Sequence, residues 1–289
     1  MGRPYGAGAR LTTLGRRPHG RRRRPVPLRL NTFLHNRVIG VPPSLTRPAR
    51  TEVLAAPFPA LRLKAADAGI AHRPWLLQLT GALLVALPVF LQAPWVRLAP
   101  FSAALFTAPL LLLALTLEAR RAPHWNSAGA LLVGFSGSWL GGCLFWGWFR
   151  LHPLWHLPIE AFALPLALGG LRGRWQLAAS FYLASLLGTA CTDGVMAVTG
   201  VMGHWTSVLL APLDQAPLLL QQAALGVLQP APLGVTLLTA VGLTALCRRF
   251  WRHPDPSWRL AASAVATTLA VDGLFLAAAL WAPQLSGLI

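Results

Sequence analysis

The sequence predicts an all-α membrane protein in which about seven transmembrane helices follow a disordered basic leader. The first observation is composition: 55% of the 289 residues are hydrophobic and only 11% are charged, a balance typical of polytopic membrane proteins. The second is a series of apolar runs of about 20 residues, the length at which a helix spans the hydrocarbon layer. The third is that most arginines of the body fall in alternate connections between these runs, as membrane topology requires.

The first 73 residues form a leader whose composition differs from that of the rest of the chain. Residues 1–74 hold fifteen of the 25 Lys and Arg residues and two acidic ones, which leaves ten basic and six acidic groups, a net charge of +4, in the body. The formal charge of +17 therefore belongs mainly to the leader and does not predict a nucleic-acid partner. The leader is rich in Arg, Pro and Gly and lacks apolar periodicity, which predicts disorder.

Three interpretations of this leader stay open. It is a solvated tail that holds the amino terminus on the cytoplasmic side, an organelle-type import leader, or an upstream segment that is not part of the working protein. Its proline density argues against the amphipathic helix that an import leader needs.

Apolar runs with aromatic markers predict the positions of seven spans. Trp75 and Trp95 bracket the first run, as aromatic residues do at the two membrane interfaces. Pro88 is expected to kink this span. The predicted spans are about 75–96, 101–117, 127–149, 153–171, 175–199, 232–247 and 258–281.

Residues 200–231 are predicted to be an external connection and not an eighth span. With a cytoplasmic amino terminus and seven spans, eight of the ten arginines of the body fall on the cytoplasmic side, as the positive-inside rule requires. An extra span here would move the arginines of residues 248–259 outside. Gln215, Gln222 and Gln229 repeat every seven residues, which predicts a surface-lying amphipathic helix.

Small residues in the third span predict close helix packing. Gly134, Ser138 and Gly142 are spaced four residues apart, as are Gly137 and Gly141. Such spacings place small side chains on common faces and let neighbouring helices approach closely in lipid.

Three carboxylates inside predicted spans are the main candidate site residues. An ionisable group within the bilayer costs about 2.5–3.5 kcal/mol on insertion scales and commonly marks a solute or ion path. Glu160 and Asp193 lie a few residues from the external ends of consecutive antiparallel spans, roughly 10 Å and 9 Å deep at a rise of 1.5 Å per residue. Asp272 is predicted to lie deeper, where it is either protonated or faces a cavity.

Arg150, His152 and His156 complete the predicted solute or ion pocket. His152, His156 and Glu160 are spaced four residues apart and would share one stripe of a continuous helix. Two prolines within this run interrupt such a helix, so we predict no metal site. Both histidines are also explained as polar residues at the membrane interface.

The carboxylates have structural explanations as well. If regular helix begins only at Pro158, Glu160 occupies its first turn, where a carboxylate suits the positive end of the helix dipole. Asp193 could instead be a helix-packing carboxyl. For Asp193 the alternative partners are Thr189, Thr192, Arg150 and Arg97.

The motifs of familiar enzymes do not occur in the sequence. There is no Walker-type glycine-rich loop, no dinucleotide fingerprint, no GxSxG elbow and no HExxH pair. The three cysteines lie in or beside apolar segments without metal-ligand spacing. We therefore predict a protein that is not an enzyme and uses no cofactor.

Four motifs carry a resemblance to a known family. They are PVFLQAPWVR at 88–97, GFSGSWLGGCLFWGWFR at 134–150, HPLWHLPIEAFALP at 152–165 and FYLASLLGTACTD at 181–193. The set resembles an uncharacterised family of multi-pass membrane proteins from cyanobacteria and plastid-bearing organisms. The resemblance implies a photosynthetic host and a plasma or thylakoid membrane, and it implies no activity.

Two functions from different classes fit these observations. The leading hypothesis is a transporter or channel-like protein that moves a proton, cation or small polar solute through a pocket bounded by Glu160, Asp193 and Asp272. The alternative is a non-catalytic helper that assembles or stabilises a membrane complex, docking through the small-residue face of span three and the 200–231 segment. The lipid bilayer is a partner in both cases, and a second membrane protein complex only in the alternative.

Overall fold

The computed structural model describes residues 74–286, and every regular element in that range is helical. Six helices are long and apolar enough to cross a membrane, and they coincide with predicted spans one, two, three, five, six and seven. The all-α polytopic fold class is therefore confirmed. Predictions about the leader, residues 1–73, lie outside the described residues. The six helices are Trp75–Leu98, Pro100–Glu118, Pro123–Phe149, Gln176–Val198, Pro230–Trp251 and Pro256–Trp281.

These spans and their connections divide into twelve α-helical segments within the described range. In chain order they are α1 (Pro74–Leu87), α2 (Ala93–Leu98), α3 (Pro100–Leu105), α4 (Thr107–Glu118), α5 (Pro123–Leu144), α6 (His156–Glu160), α7 (Leu164–Gly170), α8 (Gln176–Val198), α9 (Trp205–Leu210), α10 (Ala216–Val227), α11 (Pro230–Trp251) and α12 (Pro256–Trp281). A π-helical turn joins α1 to α2, and another extends α5.

Proline interrupts the first span where a kink was predicted. Pro88 has no N–H to donate to the preceding turn, and the helix widens there into the π turn Pro88–Gln92. Gln92 ends this turn with its side chain buried, and its Nε2 donates to the Trp139 carbonyl oxygen at 2.5 Å and to Cys143 Sγ at 2.9 Å. The irregular turn thus ties the first span to the third.

The helices approach most closely where α1, α5, α8 and α12 begin and α4 ends, a region called here the packed end. A Cβ atom added to Gly134 would lie 2.4 Å from the Ala178 carbonyl oxygen, and one added to Gly129 would lie 2.2 Å from the Glu118 backbone nitrogen. Side chains larger than hydrogen would keep these backbones apart. The predicted close packing of the third span is therefore confirmed at Gly134.

Polar contacts between turns hold the same end together. Arg174 Nη1 lies 3.7 Å from Glu118 Oε1, and Gln176 Nε2 donates to Asp255 Oδ2 at 2.8 Å. The arginine-bearing turns before α5, α8 and α12 therefore meet at one end of the bundle, as the positive-inside argument requires. That this end faces the cytoplasm stays a prediction.

The predicted fourth span, 153–171, is a broken helix and not a regular one. Prolines at 153, 158 and 165 each remove a backbone donor, and the chain alternates between 3₁₀ and α-helical turns. The interruption expected from two of these prolines is present, and His152 precedes the first of these turns, so it shares no continuous helical stripe with His156 and Glu160. The segment consists of a 3₁₀ helix at Pro153–Trp155, α6, a 3₁₀ helix at Ala161–Ala163, and α7.

Residues 200–231 form short helices that close one side of the bundle. Gly200 begins the segment with a φ of +77°, a conformation that glycine adopts without strain. In α10 the buried residues include Ala223 and Ala224. Gln221 Nε2 donates to the Leu280 carbonyl oxygen at 3.0 Å and holds α10 against the end of α12. The three glutamines of the predicted polar face are exposed: Gln215, Gln222 and Gln229.

Candidate functional site

The centre of the candidate site is His156, which lies between two carboxylates. Its Nε2 is 3.3 Å from Glu160 Oε1, one helical turn later on α6. Its Nδ1 is 3.1 Å from both carboxylate oxygens of Asp193, which belongs to α8. All three side chains are largely buried, with 12–18% of each exposed. Only an imidazolium can donate from both ring nitrogens, so one proton can be shared among the three groups.

Glycines of α5 allow the broken fourth segment to lie against it at this point. A Cβ atom added to Gly141 would be 3.1 Å from the Glu160 Cα atom, which is closer than side chains normally allow. Gly137 lies against the ring of Tyr182, where an added Cβ atom would be 3.3 Å from Cδ2. The small-residue faces of span three are therefore occupied by the protein's own helices.

Tyr182 supports the backbone where α6 ends. Its hydroxyl group donates to the Glu160 carbonyl oxygen and accepts a hydrogen bond from the Ala163 N–H at 3.1 Å. Backbone groups released by a broken helix must find partners when they lie at membrane depth. The tyrosine supplies two of these partners and so fixes the position from which Glu160 enters the site.

Two threonines of α8 connect the remaining carboxylate oxygens. Thr189 Oγ1 donates to Glu160 Oε2 at 2.9 Å. Thr192 Oγ1 donates to Asp272 Oδ2 at 2.6 Å and so links α8 to α12. Because Thr192 and Asp193 are adjacent in sequence, the hydrogen bond from Thr192 places Asp272 close to Asp193 and its partner His156. The site therefore combines residues of α6, α8 and α12, here called the carboxylate cluster: His156, Glu160, Thr189, Thr192, Asp193 and Asp272.

Aromatic rings form one side of the cluster. The His156 ring stacks on Phe145, with centroids 4.1 Å apart and an interplanar angle of 29°. Trp146 and Trp205 lie beside it, their centroids 6.2 Å and 6.3 Å from that of His156. The indole of Trp205 is fixed in position by a hydrogen bond, in which its Nε1 donates to the Arg150 carbonyl oxygen at 2.6 Å.

A cavity of about 660 Å³ adjoins the carboxylate cluster at the end of the bundle opposite the packed end. Its walls come from α1, α5, α6, α8, α9, α10, α11 and α12, and they are mostly aliphatic. All three carboxylates and His156 line it, as does Gln92. Its described lining contains no Lys or Arg. Asp272 thus faces a cavity, one of the two environments predicted for it.

Two residues of the predicted pocket lie elsewhere. Arg150 and His152 are exposed, and neither belongs to the cavity lining. Both follow the end of α5, at the turn where the chain reverses direction into the broken segment. Only the backbone carbonyl of Arg150 contributes, through its hydrogen bond with Trp205. The prediction that these two side chains line the pocket is therefore wrong.

The structural explanations for the carboxylates also require correction. Glu160 ends α6 and does not occupy the first turn of a helix beginning at Pro158, so the dipole explanation fails. The partner of Asp193 is His156. The two threonines expected beside Asp193 bind the other carboxylates, as Thr189 contacts Glu160 and Thr192 contacts Asp272.

Sequence reasoning missed the contribution of the aromatic residues and of α10. Neither Trp146 nor Trp205 was predicted to belong to the site, and Trp205 lies in a segment predicted to be external. No spacing in the sequence connects Trp205 to His156, since the two are 49 positions apart (205 − 156). The threonines did carry a signal, because Thr189 lies four positions before Asp193 and three before Thr192, spacings that place side chains on neighbouring positions of one helix surface.

Together, the fold and the site define a polytopic α-helical membrane protein with a carboxylate-bearing cavity between its helices. The chain belongs to the family described as "Protein of unknown function (DUF3120)", which matches residues 81–280. That range contains every residue of the carboxylate cluster. The match confirms the expected resemblance to a family without an assigned activity. No curated protein and no solved structure matches the chain.

Proposed function

We propose that this protein is a transporter or channel-like protein that moves a proton, a cation or a small polar solute through its cavity. The observation that supports this proposal most strongly is the convergence of three carboxylates from three helices on one cavity wall. Carboxylates within membrane helices are expensive to bury and commonly mark ion and solute paths. Here the described walls offer no Lys or Arg, and the one imidazole of His156 can neutralise no more than one of the three carboxylates, so the cavity favours positive charge.

The broken fourth segment gives independent support. In many transporters the binding site forms where a membrane helix is interrupted, because irregular backbone at that depth is tolerated when it lines a cavity. The interruption in this chain, Ala161–Ala163, directly follows Glu160. Glu160 therefore both lines the cavity and lies next to the interruption of the helix.

Uptake by the purified full chain in proteoliposomes tests the proposal. We expect Glu160→Gln and Asp193→Asn each to lower cation-driven or proton-coupled flux at least tenfold, measured with a pH- or ion-sensitive dye inside the vesicles. The matched control is Asp214→Asn, because Asp214 is an exposed carboxylate outside the cavity lining. Flux that survives both cavity substitutions, or that falls equally in the control, would contradict the proposal.

The alternative proposal is the helper function, with one docking surface in place of the two predicted from the sequence. Gly134, Gly137, Gly141 and Gly142 contact other parts of the same chain, so the small-residue face of span three is not available to a partner. A helper would have to dock through the 200–231 segment, where Leu213 and Leu218 are exposed. Purification in mild detergent should then recover a stoichiometric membrane complex.

The host and the type of membrane follow from the resemblance alone, and the orientation follows from the positive-inside rule. A cyanobacterial or plastid host, a plasma or thylakoid membrane, and a cytoplasmic amino terminus remain proposals. Reporter tags placed after Arg174 and after Arg252 test the orientation, because both positions belong to the packed end and should report the same side of the membrane.

A further inference from the structure

The cavity offers a particular kind of cation site, and we infer that it binds an organic cation with an apolar body, such as a quaternary or protonated amine. This inference rests on the proposed function and specifies its substrate class. Three features of the cavity carry it: the arrangement of the carboxylates, the two indole rings beside them, and the aliphatic remainder of the wall.

The carboxylates are poorly arranged for a small inorganic ion. Such an ion needs several oxygen ligands that converge on one point. Glu160 and Asp193 contact opposite nitrogens of the same imidazole, so the His156 ring stands between them. Within residues 74–286 no group of His, Cys, Asp and Glu side chains is arranged to hold a metal ion. The cluster therefore provides a diffuse negative field and not a chelating site.

The indole rings provide the second feature. Trp146 and Trp205 both line the cavity, and their ring centroids are 5.5 Å apart with an interplanar angle of 32°. Indole faces attract organic cations most strongly among the aromatic side chains, and the attraction is stronger when water is excluded. Aromatic rings beside carboxylates are the combination that recognises an ammonium group carried on carbon.

The third feature is the apolar wall away from the cluster. Side chains such as Leu84, Val89, Val227, Leu243 and Leu276 line it, and they offer no ligands to a hydrated ion. A cavity of about 660 Å³ falls within the range of roughly 300–1,000 Å³ that is typical of small-molecule sites. Its carboxylates are confined to the carboxylate cluster, and most of the remaining lining is aliphatic, which fits a ligand with a charged head and an apolar body.

Binding of phenyltrimethylammonium tests this assignment, since its charge is permanent and does not depend on pH. We expect the purified full chain in detergent to bind the radiolabelled probe saturably in equilibrium dialysis. Its neutral isostere tert-butylbenzene and millimolar Na⁺ or K⁺ should compete at least tenfold less well. Trp205→Leu and Trp146→Leu should each weaken binding about tenfold or more, whereas Trp205→Phe should retain most of it.

Two control substitutions separate site binding from partition into detergent. Asp214→Asn removes an exposed carboxylate and Trp155→Leu an indole that is 57% exposed, and neither residue lines the cavity. Binding should be unchanged in both. Equal competition by the neutral isostere, or equal loss in the control variants, would overturn the inference.

Flux measurements on the same variants separate this inference from the proposed function. Carboxylate-dependent flux of Na⁺ or protons without saturable probe binding would leave transport standing and overturn the organic-cation site. Saturable, tryptophan-dependent binding without any flux would support the site and contradict transport. Absence of both would overturn both.

Discussion

The two ends of this helical bundle are built on different principles. At the packed end, backbones touch through glycines such as Gly134 and Gly129, and little space remains between α4, α5, α8 and α12. At the cavity end, α5, α8 and α12 separate around about 660 Å³ of space, and side chains of the carboxylate cluster connect α8 to α6 and to α12. One end holds the helices by shape, and the other by hydrogen bonds and charge.

The contrast explains how a costly group of carboxylates can be tolerated. In lipid, helices associate mainly through close packing and polar contacts, because the hydrophobic effect does not favour protein over lipid tails. The packed end supplies the close packing. The cavity end can then keep carboxylates that lower stability when they are unpaired. A site that binds and releases a ligand needs such groups, because their partner is absent in the unbound state.

The largest effect is expected from removing the residue that bridges the carboxylates. His156→Leu removes the ring that contacts both carboxylates and leaves Glu160 with its Thr189 hydrogen bond alone; removing one member of a buried charged group typically costs about 3–5 kcal/mol. Reversible unfolding in mixed micelles should show this loss. Adding Glu160→Gln and Asp193→Asn to His156→Leu should restore most of the stability, and failure of that rescue would mean that ring packing and not charge determines the role of His156.

A smaller loss is expected at the packed end from a single methyl group. Gly134→Ala places a Cβ atom 2.4 Å from the Ala178 carbonyl oxygen, and overpacking of this kind costs about 1–3 kcal/mol. Gly242→Ala is the matched control, since a Cβ atom there meets nothing within 4 Å. The control should be neutral or slightly stabilising in the same unfolding assay. Equal effects would show that the close backbone approach at Gly134 is not the cause of the loss.

The hydrogen bond between α8 and α12 should contribute less to the free energy of unfolding than the close packing at Gly134. Thr192→Val keeps the side-chain volume but leaves Asp272 without its 2.6 Å donor, which should cost about 1.5 kcal/mol, the lower end of the range for a hydrogen bond to a charged group. Thr267→Val is the comparison, because the Thr267 hydroxyl bonds only to the Ser263 carbonyl oxygen of its own helix. We expect flux to fall in Thr192→Val and to be unchanged in Thr267→Val.

The smallest effects are expected just outside the cavity. Arg150→Ala and His152→Ala alter exposed side chains that do not line it, and the backbone bond from Trp205 to residue 150 survives both changes. Stability should stay within about 0.5 kcal/mol, as for most surface substitutions, and probe binding should be unchanged. A marked loss of binding would return these residues to the site and move its boundary outward.

The spans were predictable because the length and hydropathy of each span depend only on its own residues. The kink at Pro88 was predictable for the same reason, since a proline disrupts its own helix. The irregular course of residues 153–170 was only partly predictable: the prolines indicated a break, but its position depends on contacts of Tyr182 and Gly141 with another part of the chain.

The site was predictable only to the level of single carboxylates. The cost of placing an ionisable group inside a membrane span identified three carboxylates, each from the sequence of its own segment: Glu160, Asp193 and Asp272. Their partners depend on the relative rotation of helices, which the sequence of one helix does not determine, and so the threonines were assigned to the wrong carboxylate. Trp205 was missed because its approach to His156 depends on how residues 200–231 fold back over the bundle.

Charge-selective labelling of Cys191 tests most directly whether the cavity is open and favours cations. Cys191 lines the cavity, whereas Cys143 and Cys247 are buried; the background for labelling is Cys143→Ser with Cys247→Ala, because serine keeps an acceptor for Gln92. A cationic methanethiosulfonate reagent should label Cys191 at least about tenfold faster than an anionic one, each rate being normalised to a free thiol. Glu160→Gln with Asp193→Asn should abolish that preference. An unreactive Cys191, or equal normalised rates for the two reagents, would contradict the account.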